Sequence, residues 1–201
     1  MGKHVCIIGG NGFVGRAIAK AATEQGHTLT IACRHPERAR DLRVEGARLV
    51  RADIVDGRGL DQAVTDADCV INLVGILFER GRESFEGVHV RGTEHVLDAC
   101  SRHAHTPQYL HMSALGADSA SPSAYARTKA KAEERVRQSK LHWTIFRPSV
   151  IYGAEDSFFN RFRKLSSFPL ILPVIGGDTR FQPVWVEDVA RAFVSSIGNR
   201  H

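Results

Sequence analysis

Three residues in the second half of the chain have the types and spacing for proton-coupled chemistry at a carbonyl or hydroxyl group. Tyr125 and Lys129 lie four residues apart in a helical pattern and so share a helix face. Because an ammonium beside a phenol favours the phenolate, we expect Lys129 to lower the pKa of Tyr125 and make it a general acid/base. Ser113 ends a strand-like segment, where its hydroxyl would orient a substrate oxygen. The alternative is an exposed helix pair without a catalytic role.

A glycine-rich turn near the N-terminus has the composition of a dinucleotide-phosphate site. Its glycines follow a G-x-x-G-x-x-G spacing between a first strand and a first helix. Glycine permits a tight turn and the close approach of a pyrophosphate, and a helix N-terminus supplies N–H donors. The alternative is a plain glycine turn. The predicted phosphate site comprises Gly9, Asn11, Gly12, Phe13, Val14 and Gly15.

Further cofactor contacts are predicted where the next strands end. An acid at the end of the second strand would accept the ribose 2′-hydroxyl of NAD, whereas an arginine would accommodate the 2′-phosphate of NADP. The chain has Arg34 there, which favours NADP(H), while NAD(H) stays open with Glu37 binding the ribose instead. The remaining predicted contacts, to the adenine and along the cofactor, are Asp53, Ile54, Leu73, Val74 and Gly75.

Strand and helix patterns alternate along the chain, which indicates a doubly wound α/β fold that collects these residues at one sheet edge. Near-continuous apolar segments predict strands at 4–8, 28–33, 47–51, 69–74, 108–112 and 142–146. Helical patterns lie at 13–25, 36–43, 58–65, 85–102 and 123–139. A last strand and helix are expected at 181–186 and 187–197.

The composition limits the class of protein and its partners. The 201 residues, 43% apolar and 24% charged, suit one globular domain spanning 1–201 and exclude a disordered chain. The 27 Lys+Arg exceed the 22 Asp+Glu without a dense basic block, so no nucleic-acid partner is predicted. The scattered cysteines and histidines predict buried, reduced thiols and no metal site. Without a signal-peptide pattern or a membrane-spanning segment, we expect a cytoplasmic protein.

Taken together, these features resemble the short-chain dehydrogenase/reductase superfamily in its extended or atypical form, which includes NAD-dependent epimerase/dehydratase-like proteins. In that family a Ser-Tyr-Lys set stands on a Rossmann core. The tyrosine is the acid/base, the lysine contacts the nicotinamide ribose and the serine orients the reacting oxygen. Ser113, Tyr125 and Lys129 match this set in order and spacing. The resemblance thus implies hydride transfer at a nicotinamide.

Two later segments extend the resemblance. R-P-S-V-I-Y-G at 147–153 is similar to a family segment whose backbone passes the nicotinamide, which adds Pro148 and Val150 to the predicted cofactor site. P-V-W-V-E-D-V-A at 183–190 is similar to the segment that rejoins the Rossmann core.

Four segments place the resemblance in one branch, which contains the NADPH-binding accessory subunit of respiratory complex I, its bacterial relatives and relatives tied to ubiquinone biosynthesis. They are N-L-V-G-I-L-F at 72–78, H-M-S-A-L-G-A at 111–117, W-T-I-F-R-P-S at 143–149 and R-F-Q-P-V at 180–184. The branch implies a small carbonyl compound or quinone as substrate and a membrane-associated protein complex as partner, at the inner face of the membrane. Three functions stay open: an NADP(H)-using reductase, an epimerase or dehydratase, and an accessory protein with structural NADPH.

The segment 154–180 differs in residue pattern from the rest of the chain. It has phenylalanines between basic residues and an apolar stretch interrupted by prolines. We expect a lid over the substrate cleft; the alternative is a surface that meets a membrane or quinone tail. Extended family members usually continue past the V-E-D segment at 186–188. The resemblance therefore implies a Rossmann-type sheet with a short, incomplete C-terminal substrate lobe, which is either minimal and open or completed by a partner.

Overall fold

The computed structural model describes residues 2–44, 46–154, 156 and 181–199, and its centre is a six-stranded parallel sheet. The strands are β1 (His4–Ile8), β2 (Thr28–Cys33), β3 (Arg48–Arg51), β4 (Cys69–Asn72), β5 (Gln108–Met112) and β6 (Trp143–Phe146). Their order across the sheet is β3-β2-β1-β4-β5-β6. This is the Rossmann order, in which a crevice forms beyond the carboxyl ends of β1 and β4. The predicted doubly wound sheet is confirmed.

Helices cover both faces of the sheet. They are α1 (Phe13–Glu24), α2 (Arg40–Val44), α3 (Leu60–Val64), α4 (Gly92–Ser101), α5 (Ala124–Gln138) and α6 (Val186–Ser195). A 3₁₀ turn at Pro36–Arg38 precedes α2, and a π-helical turn at Glu86–Arg91 precedes α4. Two short strands, β7 (Ile151–Tyr152) and β8 (Val184–Trp185), pair in parallel. The expected last strand and helix are thus confirmed.

Each strand divides its side chains between two apolar clusters. In β1, Val5 and Ile7 pack with α1 and α6, whereas Cys6 and Ile8 pack with α3, α4 and α5. Because helices cover both faces of the sheet, side chains on both sides of each strand are apolar, and the strands appear in the sequence as continuous apolar segments. The predicted burial of the cysteines is confirmed: Cys6, Cys33, Cys69 and Cys100 are all buried and free.

Three predicted elements differ from the structure, because core packing or a local side-chain hydrogen bond accompanies a change in the backbone. The helix expected at 36–43 is interrupted at Ala39, which is fully buried and has a non-helical φ of −121°. The strand expected at 69–74 ends at Asn72, whose Oδ1 accepts the Val74 N–H at 3.2 Å and turns the chain. The helix expected at 85–102 begins as the wider π turn. The Thr93 hydroxyl, in the first turn of α4, donates to the carbonyl of His89 in the π turn at 2.7 Å.

The predicted lid at 154–180 lies outside the described residues, except for Ala154 and Asp156. The lid and its alternative, a membrane-facing surface, therefore stay predictions. In the portions of the chain that the structure describes, no helix is both long and apolar enough to cross a membrane.

Candidate dinucleotide site and catalytic cluster

The turn after β1 is so tight that two of its positions require glycine. Gly9 has a φ of +81°, which strains residues with a side chain, and its N–H donates to the Ala32 carbonyl at 2.8 Å. A Cβ on Gly15 would lie 2.5 Å from the Gly10 Cα, so only glycine lets α1 begin this close to the turn. No described side chain caps α1 at Gly12, so the helix N-terminus can donate to a phosphate.

A cleft of about 300 Å³ opens beside this turn at the carboxyl edge of the sheet. It fits a dinucleotide because the glycine turn, the uncapped end of α1 and apolar strand ends all border it. Its lining includes nine of the predicted cofactor residues: Gly9, Asn11, Gly12, Arg34, Asp53, Ile54, Leu73, Val74 and Gly75. Phe13 instead lines a separate cavity beside Trp185, and Val14 packs on the core.

Charged side chains surround the end of the cleft beyond β2 and β3, where the sequence predicts the adenosine. Arg34 forms an ion pair with Glu83, and its carbonyl accepts a hydrogen bond from Arg51 at 3.2 Å. Arg51 also pairs with Glu37 at 3.2 Å, so the alternative ribose ligand is engaged by an arginine. A contiguous cavity of about 380 Å³ is lined by Arg34, His35, Arg51, Ala52, Asp53, Arg58 and Arg82.

The loop 76–85 after β4 is tied to this end by two ion pairs, Arg34–Glu83 and Asp53–Arg82. Within the loop, Arg80 and Glu83 exchange backbone hydrogen bonds of 3.0 Å. Sequence reasoning missed Glu83 and Arg82 because the loop has neither a helical nor a strand period.

Lys129 connects helix α5 to the region of the cleft. Ser123 caps α5 by accepting the Ala126 N–H at 3.5 Å, so the helix begins just before Tyr125. Lys129 is 3% exposed, and its Nζ donates to the Met112 carbonyl at 2.9 Å. The same Nζ lies 3.2 Å from the point that a Cβ on Gly75 would occupy. Lys129 therefore lies next to the Gly75–Ile76 segment after β4, which lines the cleft and is called the cleft loop below.

The expected effect of Lys129 on Tyr125 is wrong. Burial raises the pKa of Tyr125, and Lys129 does not lower it. The reason is that the ammonium points to the Met112 carbonyl, whereas the rings of Phe85 and His89 border the phenol. Burial lowers the pKa of Lys129 itself to about 8, against the opposing charge of Glu133.

Ser113 is enclosed beside a buried carboxylate. It is 4% exposed, and its Oγ makes no hydrogen bond of normal geometry with any residue that the structure describes. Glu133 is fully buried and binds Arg147 and Arg137, each at 2.7 Å. Burial alone would raise the pKa of Glu133. The polar side chains of Arg147, Ser113 and Arg137 beside the carboxylate have the larger combined effect, so the pKa is lowered. A buried anion thus lies one helical turn after Lys129.

Sequence reasoning missed two buried histidines near Lys129. Burial, together with the Lys129 charge, lowers the pKa of His89 to about 4 and that of His111 to about 3. The His111 ring stacks on Tyr109 with centroids 6.0 Å apart, and its Nε2 is buried without a partner among the described residues. The available signal was strand alternation, which puts His111 on the same face as Tyr109.

Pro148 and Val150 do not line the cleft formed by the described residues. The Pro148 carbonyl accepts the Leu115 N–H and the Val150 carbonyl accepts the Val184 N–H, both at 2.9 Å. They therefore connect the loop after β5 and strand β8 to the segment that follows β6.

Comparison with known proteins gives matches along nearly the whole chain. A family model described as NAD(P)H-binding matches residues 9–167. The chain is 30% identical over 199 residues to the mitochondrial NADH dehydrogenase (ubiquinone) 1 alpha subcomplex subunit 9 of Dictyostelium discoideum, covering 96% of this chain and 55% of that protein. It is 31% identical over 195 residues to ceramide reductase of Caulobacter vibrioides, covering 95% and 60%.

Among solved structures, UDP-glucose 4-epimerase of Thermus thermophilus in complex with NAD superposes with a TM-score of 0.76 at 19% identity, covering 98% of this chain and 75% of that one. At this identity the likeness shows the fold alone. The chain spans about half the length of the curated relatives it matches.

Proposed function

The chain belongs to the NAD(P)H-binding family, and on that premise we propose that it is an NADP(H)-dependent reductase of a small-molecule carbonyl group. The observation that carries the proposal is the proximity of Lys129 to Gly75, since its Nζ lies 3.2 Å from the point that a Cβ on Gly75 would occupy. Gly75 lines the dinucleotide cleft, and Lys129 shares a helix face with Tyr125. This proximity supports the proposal, because a dinucleotide bound in the cleft would pass close to the helix that carries Tyr125.

Each residue has a role in this proposal. The turn after β1 and the N-terminus of α1 bind the pyrophosphate, and the nicotinamide supplies the hydride when bound. Tyr125 gives its proton to the carbonyl oxygen, Lys129 holds the nicotinamide ribose and Ser113 orients the oxygen. The phenol of Tyr125 holds its proton at neutral pH, as a proton donor must, and burial, which raises its pKa, makes it a weaker acid than a solvated tyrosine.

Arginine chemistry supports NADP(H) over NAD(H). The planar guanidinium groups of Arg34 and Arg51 suit bidentate binding of a 2′-phosphate. Both line the cavity at the adenosine end of the cleft, and Arg51 engages Glu37, the alternative ribose ligand.

The exposed apolar side chains near the cleft support an apolar substrate, either a carbonyl compound with an alkyl chain or a quinone. Leu77 and Phe78, after β4, are 60% and 71% exposed, and Leu115, after β5, is 64% exposed. Both loops follow the carboxyl ends of adjacent strands, where substrates bind in open α/β sheets. The names of the relatives, a ceramide reductase and a ubiquinone-linked dehydrogenase subunit, agree with this class.

The second candidate is an accessory protein that holds NADPH as a structural group within a membrane-associated complex at the cytoplasmic face. The enclosed Ser113 hydroxyl favours it, because this oxygen does not face a substrate-sized space among the described residues. The relationship to a respiratory-complex subunit favours it as well.

The experiment begins with release and identification of the nucleotide that copurifies with the protein. NADPH absorbance is then followed with alkyl carbonyls and short-chain quinones. Tyr125→Phe removes only the acidic hydroxyl, so we expect kcat to fall by at least about 100-fold with an unchanged Kd for NADPH.

Lys131→Met is the control on the same helix, since Lys131 is exposed and pairs with Glu86; it should retain full turnover. Equal turnover by the Tyr125→Phe variant would contradict the acid/base role. Firmly held NADPH that no candidate oxidises would favour the accessory protein, and copurified NADH would overturn the role given to Arg34.

A further inference from the structure

The buried His89 links the loop that lines the cleft to the helix of Tyr125 and Lys129. It lies in the π turn before α4 and is 2% exposed. Its Nε2 accepts the N–H of Ile76 at 3.1 Å, and its Nδ1 lies 2.9 Å from the Thr128 Oγ1. Ile76 follows Gly75 in the cleft loop, whereas Thr128 lies on α5. One imidazole ring therefore spans the two halves of the site.

The hydrogen bonds of His89 determine its tautomer. A backbone N–H only donates, so Nε2 is the unprotonated acceptor for Ile76 and Nδ1 carries the proton. The Thr128 hydroxyl donates to the Ala124 carbonyl at 2.8 Å, so its oxygen is available to accept from Nδ1. The ring is neutral, in agreement with the lowering of the His89 pKa to about 4 by burial and by Lys129.

The ring of His89 also borders the phenol of Tyr125. The two rings are nearly perpendicular, at 87°, with centroids 5.3 Å apart. Phe85 completes the group, at 5.5 Å from His89 and 6.0 Å from Tyr125. Because these rings are in mutual contact, a shift of His89 would change the packing around the Tyr125 ring.

We propose that His89 is a positioning residue that holds the cofactor loop at Gly75–Ile76 and the helix of Tyr125 and Lys129 in one fixed arrangement. A rigid ring with an acceptor on one side and a donor on the other makes both connections at once. A Cβ built on Gly75 would lie 3.2 Å from Lys129 Nζ and 3.6 Å from His89 Nε2, so the ammonium and the imidazole are close to each other. The ring must be neutral, because a second cation here would repel the ammonium.

The expected effect of His89 on turnover rests on the proposed function, but its expected effect on nucleotide binding does not. The test uses the whole chain with NADPH as the probe. His89→Phe retains an aromatic ring and loses both hydrogen bonds, whereas His89→Gln retains an acceptor for the Ile76 N–H. The measurements are the Kd for NADPH by fluorescence titration and the hydrogen exchange rate of the Ile76 amide.

We expect His89→Phe to weaken NADPH binding by about tenfold, because a buried donor loses its acceptor. The Ile76 amide should exchange faster by a similar factor, and His89→Gln should restore both values to within about threefold of the wild type. Where a substrate has been found, kcat should fall more in His89→Phe than the Kd rises.

Thr128→Val and Thr128→Ser test the second hydrogen bond and keep the proposal falsifiable if His89→Phe does not fold. Thr128→Ser retains the hydroxyl and should match the wild type, while Thr128→Val should weaken NADPH binding. The proposal is overturned if a folded His89→Phe, or Thr128→Val, binds NADPH as tightly as the wild type with the Ile76 amide equally protected. Absence of turnover in the wild type, with these binding effects present, would contradict only the proposed reductase.

Discussion

Glu83 pairs with Arg34 at the end of the cleft beyond β2 and β3, so a nucleotide 2′-phosphate bound there would compete with a carboxylate of the chain itself. Glu83→Gln removes this charge and keeps the shape of the side chain. We expect NADPH to bind about two- to fivefold more tightly in the variant, a modest gain because Arg34 is 48% exposed and solvent screens the pair. NADH, which lacks the 2′-phosphate, should bind with unchanged affinity.

Titration of both nucleotides at low and physiological salt measures this difference. Glu86→Gln is a matched control, since Glu86 is exposed, pairs with Lys131 and does not line the cleft. An equal gain for NADH and NADPH in the Glu83→Gln variant would show that Glu83 acts through general charge rather than through the 2′-phosphate.

Local spacing was sufficient to predict some site residues and not others. Gly9 and Gly15 follow from the requirements of a single turn, and Tyr125 with Lys129 follows from one helix face. Glu83 meets Arg34 across 49 residues of sequence, and no periodicity encodes such a pairing. The direction of the Tyr125 pKa shift was predicted wrongly, because it depends on burial by other elements, which the spacing of Tyr125 and Lys129 does not encode.

At the scale of elements, the strands were predictable because burial on both faces leaves a continuous apolar segment. The prediction fails where core packing or a side-chain hydrogen bond redirects the backbone. Ala39 enters the core and interrupts a helix, and the Asn72 side chain turns the chain out of the sheet. Element types are thus local properties, whereas their ends depend on packing.

Helix α6 packs on α1 and covers one face of the sheet, and Phe193 is its largest fully buried side chain. This side chain is fully buried and stacks on Phe146 with centroids 3.9 Å apart. We expect Phe193→Ala to reduce the free energy of unfolding by about 3–5 kcal/mol, because a large cavity would remain between α6 and the sheet. Urea denaturation followed by circular dichroism measures the change.

Ser195→Ala is the control on the same helix. Ser195 is exposed, and its substitution should change the free energy of unfolding by less than about 0.5 kcal/mol. A Phe193→Ala variant as stable as the Ser195→Ala variant would mean that α6 contributes little to the core.

For the molecule as a whole, ionisable groups are concentrated where β5, α5 and the π turn meet. Lys129, Glu133, His89 and His111 are all buried there. Burial lowers the pKa of Lys129 from 10.5 to about 8. Keeping its ammonium charged at neutral pH therefore lowers the stability of the folded protein by an amount on the order of 3 kcal/mol. Such a cost is tolerated at functional sites, because stability is not what these residues provide.

The two histidines of this group should make the fold sensitive to mild acid. Burial lowers the pKa of His89 to about 4 and of His111 to about 3, from 6.5 in the unfolded chain. Below pH 6.5 the unfolded chain therefore binds protons that the folded protein does not, so stability is fully present above 6.5 and is lost as the pH falls towards 4. The slope should approach about 2.7 kcal/mol per pH unit for two protons.

Urea denaturation from about pH 7 to about pH 5 measures this slope. His111→Phe should reduce it by about half, since one of the two histidines no longer titrates. His105→Gln is the control, because it removes an exposed histidine outside this buried group. An equal slope in the wild type and the His111→Phe variant would mean that His111 accepts its proton within the folded protein, through the buried Nε2 that has no partner among the described residues.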